Sequence, residues 1–65
     1  MPIVQVHLLE GRSKELKHQL ISEITEAISR TLGNSPETIR VLLHDVPQEN
    51  WGIAGVPMSK RQNVK

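Results

Sequence analysis

Four residues of this chain stand out for the chemistry they could do: Pro2, Arg12, Arg40 and Trp51. An initiator methionine can be trimmed from in front of Pro2, and trimming leaves a secondary amine at the chain start. An amine acts as a base only while unprotonated, so its surroundings must disfavour the cation; desolvation and neighbouring positive charge both do so. Each unit of pKa depression corresponds to about 1.4 kcal/mol, so a dry pocket with one or two guanidiniums suffices to bring such an amine near neutral pH. Arg12 and Arg40 are the candidate guanidiniums. Either can also grip a carboxylate through paired hydrogen bonds. Trp51 stands in a chain without Phe or Tyr, as a pocket wall or as core or interface filler. Taken singly, each also has a plainer role: Pro2 as edge protection, the arginines as solvated surface.

The elements that must position these residues follow from periodicity. Over residues 3–9, Ile3, Gln5, His7 and Leu9 point one way and Val4, Val6 and Leu8 the other, which is the alternation of a strand. Gly11 and Arg12 break it, and Ser13 can cap a helix with Glu15 in its first turn. Leu16, Leu20, Ile21, Ile24, Ala27, Ile28 and Leu32 then recur at spacings of three and four, the apolar stripe of an amphipathic helix of about five turns. Gly33 and Asn34 supply its left-handed end. Ser35-Pro36-Glu37 predicts a short helical turn. Residues 39–46 predict a second strand, with Ile39, Val41, Leu43 and Asp45 on one face and Arg40, Leu42, His44 and Val46 on the other. Two strands joined through one long helix make a right-handed crossover and a parallel pair. Residues 48–57 suit a loop or small hairpin, and the polar stretch 59–65 is expected to fray. The fold class is α/β, or α+β: a β-α-β unit forming one domain over residues 1–65.

Length and composition narrow the function. A folded monomer of 65 residues exposes ~4,200 Å² against ~10,600 Å² unfolded, so only about 60% is buried and a lone core is marginal. The chain has no cysteine, so disulfides cannot staple it and zinc-knuckle or thioredoxin-like sites are excluded. Eight Lys plus Arg against seven Asp plus Glu is too even a balance for strong nucleic-acid binding, and one aromatic cannot form a base-stacking platform. No apolar run approaches the ~20 residues that span a bilayer, and no export signal follows Met1. The expectation is a soluble cytoplasmic domain without nucleic-acid or membrane partners. His7, His18 and His44 share no ligand spacing on one element and read as structural or surface residues, with no metal.

A single helix covers only one face of a two-stranded sheet, yet both faces of each strand carry large aliphatics. The second face therefore calls for further subunits.

The segments Met1-Pro2-Ile3, Leu9-Glu10-Gly11-Arg12-Ser13, Glu26-Ala27-Ile28-Ser29-Arg30, Ile39-Arg40-Val41 and Trp51-Gly52-Ile53-Ala54-Gly55 resemble the short-chain members of the 4-oxalocrotonate tautomerase family, from residue 2 to about residue 60. The resemblance implies a tautomerase-fold protomer with a short 3-10 turn and a C-terminal loop or hairpin, assembled as a homo-hexamer, a trimer of dimers, with sites at subunit boundaries. It implies that Pro2, freed as the amino terminus, is the general base, and that Arg12 and Arg40 bind carboxylate or carbonyl oxygens, one of them from a neighbouring chain. Leu9 and Trp51 would wall the pocket; Trp51 departs from the phenylalanine of 4-oxalocrotonate tautomerase itself. The implied activity is a cofactor-free isomerase acting on 2-hydroxymuconate-like dienols or related 2-oxo acids, as in aromatic catabolism. Two alternatives stand beside it: a relative that uses the same proline for hydration, dehalogenation or decarboxylation, and a non-catalytic oligomeric binding module.

Overall fold

The computed structural model describes residues 1–61. Strand β1 (Ile3–Leu9) leads through a short loop into helix α1 (Lys14–Leu32), a 3-10 turn (Pro36–Thr38) and strand β2 (Arg40–Val46). Strands β1 and β2 pair in parallel, Ile3 opposite Arg40 and Leu9 opposite Val46. Gln48–Asn50 form a second 3-10 turn, followed by a small antiparallel hairpin of β3 (Gly52–Ile53) and β4 (Val56–Pro57). The hairpin alternative for residues 48–57 is therefore the one adopted. Its turn places Ala54 at φ 52° and Gly55 at φ 82°, the doubly left-handed backbone that matches the twist of paired strands.

The helix ends are set by the residues expected to set them. The Ser13 hydroxyl accepts from the Leu16 amide at 3.2 Å. Gly33, at φ 79°, sends its own amide to the Ser29 carbonyl, which satisfies one of the carbonyls orphaned at a helix end. The Pro36–Thr38 turn is capped by Ser35, whose hydroxyl accepts from the Glu37 amide.

Side chains in register share a face of the sheet. Val4 with Val41, Val6 with Leu43 and Leu8 with Asp45 form one face. Lys17 reaches this face from α1 and closes an ion pair with Asp45 at 2.6 Å. Lys17, outside the apolar stripe of α1, thus spans helix and sheet. Leu16 and Leu32, read as the ends of the apolar stripe, are 58% and 63% exposed. They stand in the first and the last turn of α1, while Leu20, Ile21, Ile24, Ala27 and Ile28 between them are half-buried. The second strand starts at Arg40, and Ile39, just before it, is the buried hydrophobic side chain at the helix–sheet junction.

The opposite face carries Ile3 with Arg40, Gln5 with Leu42, His7 with His44 and Leu9 with Val46. Ile3 and Leu42 are exposed on it. The chain extends over 43 × 23 × 14 Å with a radius of gyration of 14.9 Å, well above the ~11 Å of a compact domain this long. Of the stretch 59–65 expected to fray, Ser59 and Lys60 belong instead to a 3-10 turn, Met58–Lys60; residues 62–65 lie outside the described part. Among the described residues no helix is long and apolar enough to cross a membrane.

Candidate active site

Pro2 stands immediately before β1 and is half-buried, while Met1 beside it is exposed. The Pro2 carbonyl accepts from the Arg40 amide at 3.0 Å, so the first rung of the parallel ladder holds this residue to the start of β2. With Met1 attached, the Pro2 nitrogen is a tertiary amide without a basic lone pair. Removal of Met1 converts it to a secondary amine anchored on a strand and not on a loose tail.

Arg12 and Arg40 are both exposed, and each is steadied by a carbonyl three residues earlier in the chain. Arg12 donates through Nη1 to the Leu9 carbonyl at 2.8 Å, and Arg40 through Nη1 to the Glu37 carbonyl at 2.8 Å. One donor of five is used in each case, so both guanidiniums keep their forks for an anion. Among the described residues neither arginine takes part in an ion pair.

The structure splits the expected site residues into two groups. Pro2 and Arg40 lie at the start of the parallel strands. Leu9 and Arg12 lie at the far end, and Trp51 follows β2 on that side, beyond the turn at Gln48–Asn50. The strand between the groups spans about 20 Å, well beyond the reach of an arginine side chain. Among the described residues a single protomer encloses no pocket. Leu9 and Trp51 are both half-buried. The Trp51 backbone is held at both sides, its amide donating to the Gln48 carbonyl and its carbonyl accepting from the Met58 amide at 2.7 Å. The Glu10 carboxylate accepts from the Gln48 amide at 3.4 Å and ties the Arg12 loop to the segment that leads to Trp51.

Two relationships escaped the sequence. His7 and His44, read as structural or surface residues without a shared ligand spacing, are register partners whose rings stack 4.9 Å apart. Their face assignments were the available signal; the register that aligns them was not. The Glu10 contact to Gln48 joins residues 38 positions apart and had no local signature.

Residues 2–61 match the family model described as tautomerase enzyme. Over 56 residues, 86% of this chain and 89% of the relative, the sequence is 50% identical to 2-hydroxymuconate tautomerase of Comamonas testosteroni. The fold superposes with a TM-score of 0.85 on a structure from work on the 4-oxalocrotonate tautomerase isozymes of Methylibium petroleiphilum, at 45% identity, covering 89% of this chain and 94% of that one. A heterohexamer 4-oxalocrotonate tautomerase from Chloroflexus aurantiacus is similar with a TM-score of 0.89 at 26% identity, over 95% of this chain and 100% of that one. With the parallel β-α-β unit, the proline before its first strand and a match along nearly its whole described length, this chain belongs to the tautomerase family.

Proposed function

We propose that this protein is a cofactor-free tautomerase that interconverts enol and keto forms of 2-hydroxymuconate-like dienols or related 2-oxo acids, with Pro2 as the general base. The observation that carries the proposal is that Pro2 is anchored at the head of β1 by the Arg40 amide in a chain with two exposed arginines that take part in no ion pair among the described residues. The named activity of the similar Comamonas testosteroni protein supports the substrate class.

In the proposed reaction the amine of Pro2, freed from Met1, takes the proton from the enol oxygen. The electron pair of the broken O–H bond forms the carbonyl, and the carbon–carbon double bonds shift. The new N–H bond then breaks as its proton passes to carbon, so the base is regenerated. A positioned base of this kind contributes on the order of 10²- to 10⁴-fold. Arg12 and Arg40 bind the substrate's carboxylate and carbonyl oxygens and offset negative charge that develops on oxygen. Leu9 and Trp51 supply an apolar wall that keeps water from the amine.

Because Pro2 and Arg12 lie at opposite ends of β1, the proposed site is completed only where two chains meet. A homo-hexamer built as a trimer of dimers is the proposed assembly and the cytoplasm its proposed location; the heterohexameric relative supports the former.

The test combines intact mass, to establish removal of Met1, with absorbance assays of 2-hydroxymuconate and phenylenolpyruvate ketonisation. Pro2→Ala and Arg40→Ala should each lose about 10²-fold or more. Activity of Pro2→Ala within a few-fold of wild type would refute the base assignment. A trimmed wild type inert on both enols would favour a binding module.

A further inference from the structure

We propose that Glu10 is a positioning residue: its carboxylate clasps the turn that follows β2 and so fixes the Arg12 loop relative to Trp51 at the far end of the sheet. The proposal deepens the tautomerase reading above and rests on it for the roles of Arg12 and Trp51.

The clasp joins two segments that are distant in sequence. β1 ends at Leu9 and β2 at Val46. Beyond them the parallel ladder gains a last rung, in which the Glu10 amide donates to the Val46 carbonyl at 3.0 Å. Two residues after Val46, the Gln48 amide donates to the Glu10 carboxylate at 3.4 Å. Glu10 therefore holds the corner Val46-Pro47-Gln48 at two points, once through its backbone and once through its side chain. Gln48 opens the turn Gln48–Asn50, and Pro47 before it makes no side-chain capping bond. An amide in that position has no acceptor within its own turn. Glu10 thus supplies from the other strand what Ser13 and Ser35 supply locally to α1 and to the Pro36–Thr38 turn.

The backbone carries the effect in both directions. Toward Trp51, the Gln48 carbonyl accepts from the Trp51 amide at 3.3 Å, and the Trp51 carbonyl accepts from the Met58 amide at 2.7 Å. A run of hydrogen bonds so leads from the Glu10 carboxylate through Trp51 to the end of the β3–β4 hairpin. Toward Arg12, the chain turns at Gly11, whose φ is 121°, and a glycine does not resist swivelling by itself. Arg12 is steadied by the Leu9 carbonyl ahead of this turn, and Glu10 fixes the turn to β2. Glu10 is also the carboxylate nearest to Arg12 along the chain. It is engaged by the Gln48 amide and forms no ion pair with Arg12, which leaves the guanidinium to an anionic substrate. Glu10 and Gln48 are both exposed, so losing the clasp should loosen the site without unfolding the chain.

The experiment measures kcat and KM for ketonisation of 2-hydroxymuconate by the trimmed full chain, with light scattering to compare assembly. The proteins are wild type, Glu10→Ala, Glu10→Gln, Gln48→Pro and the Glu10→Ala/Gln48→Pro double variant. Glu10→Ala should raise KM about tenfold and change kcat by less than about threefold, the split expected when binding groups are displaced and the base is untouched. Glu10→Gln keeps an acceptor oxygen at the same reach and should stay within about threefold of wild type. Gln48→Pro deletes the donor while the carboxylate remains, and Pro47, at φ −62° and ψ 151°, already has the backbone that a following proline requires. Gln48→Pro should match Glu10→Ala, and the double variant should be no worse than either single variant, because both remove one interaction. If Glu10→Ala fails to assemble, Gln48→Pro against Glu10→Gln gives the same comparison. Trp51 is the chain's one tryptophan, and its fluorescence should shift to the red in every variant except Glu10→Gln. An unchanged KM in Glu10→Ala and Gln48→Pro overturns the proposal. So do a Glu10→Gln protein as impaired as Glu10→Ala, losses that add in the double variant, or a raised KM with Trp51 emission unmoved. A trimmed wild type inert on the enol instead removes the tautomerase reading, and the emission shift still reports whether Glu10 holds Trp51.

Discussion

The amide of Arg40 donates to the carbonyl of Pro2 at 3.0 Å, so the proposed base and one proposed anion-binding residue leave the same end of the sheet. Arg12 leaves the other end, after Leu9. A catalytic unit that needs all three must therefore draw on more than one chain.

Subunit complementation tests this separation. Pro2→Ala and Arg12→Ala proteins should each be nearly inactive. Unfolded together in equal amounts and reassembled, they should recover about one quarter of wild-type activity, because random pairing places an intact Pro2 opposite an intact Arg12 in that fraction of sites. Recovery near zero would put both residues of each site on one chain.

The face opposite α1 offers a second prediction. Leu42 is 42% exposed on it, and a carboxylate placed there would have to be desolvated when the face is covered. Leu42→Glu should elute at monomer mass and lose activity in parallel with assembly. An assembled and active Leu42→Glu protein would show that this face stays open.

The Lys17–Asp45 ion pair has a modest expected value. The side chains are 27% and 43% exposed, so water screens them, and Asp45→Asn should cost about 0.5–1 kcal/mol in urea denaturation. The difference from wild type should shrink in concentrated salt. A loss unaffected by salt would mean that packing, and not charge, carries the contact.

The two ends of α1 should fail for different reasons. Ser13→Ala removes the hydroxyl that accepts from the Leu16 amide and should cost about 1 kcal/mol. At Gly33 an added Cβ meets nothing within 4 Å, but the backbone is at φ 79°. Gly33→Ala should therefore cost about 1 kcal/mol or more through backbone strain alone, and Gly33→Asn should cost less because asparagine tolerates this conformation. Thermal denaturation monitored at the helix band measures both; equal losses in Gly33→Ala and Gly33→Asn would count against the strain account.

Local elements were legible from residue order because their signals are short-ranged. Alternation marked β1, the three-and-four spacing marked α1, and Ser13 and Gly33 marked its ends. The resemblance carried by Pro2, Arg12, Arg40 and Trp51 led to the family. The exposure of Leu16 and Leu32 was not legible, since a stripe records which residues are apolar and not how much sheet lies beneath them. The partner of Lys17 was not legible either, since only the pairing of β2 brings Asp45 within reach.

By itself, the sequence determined the β-α-β order, the helix ends and the residue types able to move a proton and hold an anion. These depend on repeats of two or 3.6 residues and on side chains interacting within a few positions of themselves. Only the tertiary structure decided that His7 meets His44, that Pro2 starts beside Arg40 and that Arg12 stands a strand's length away. Those relationships depend on the register in which two distant segments pair, and shifting that register by one residue would exchange the faces on which every partner lies.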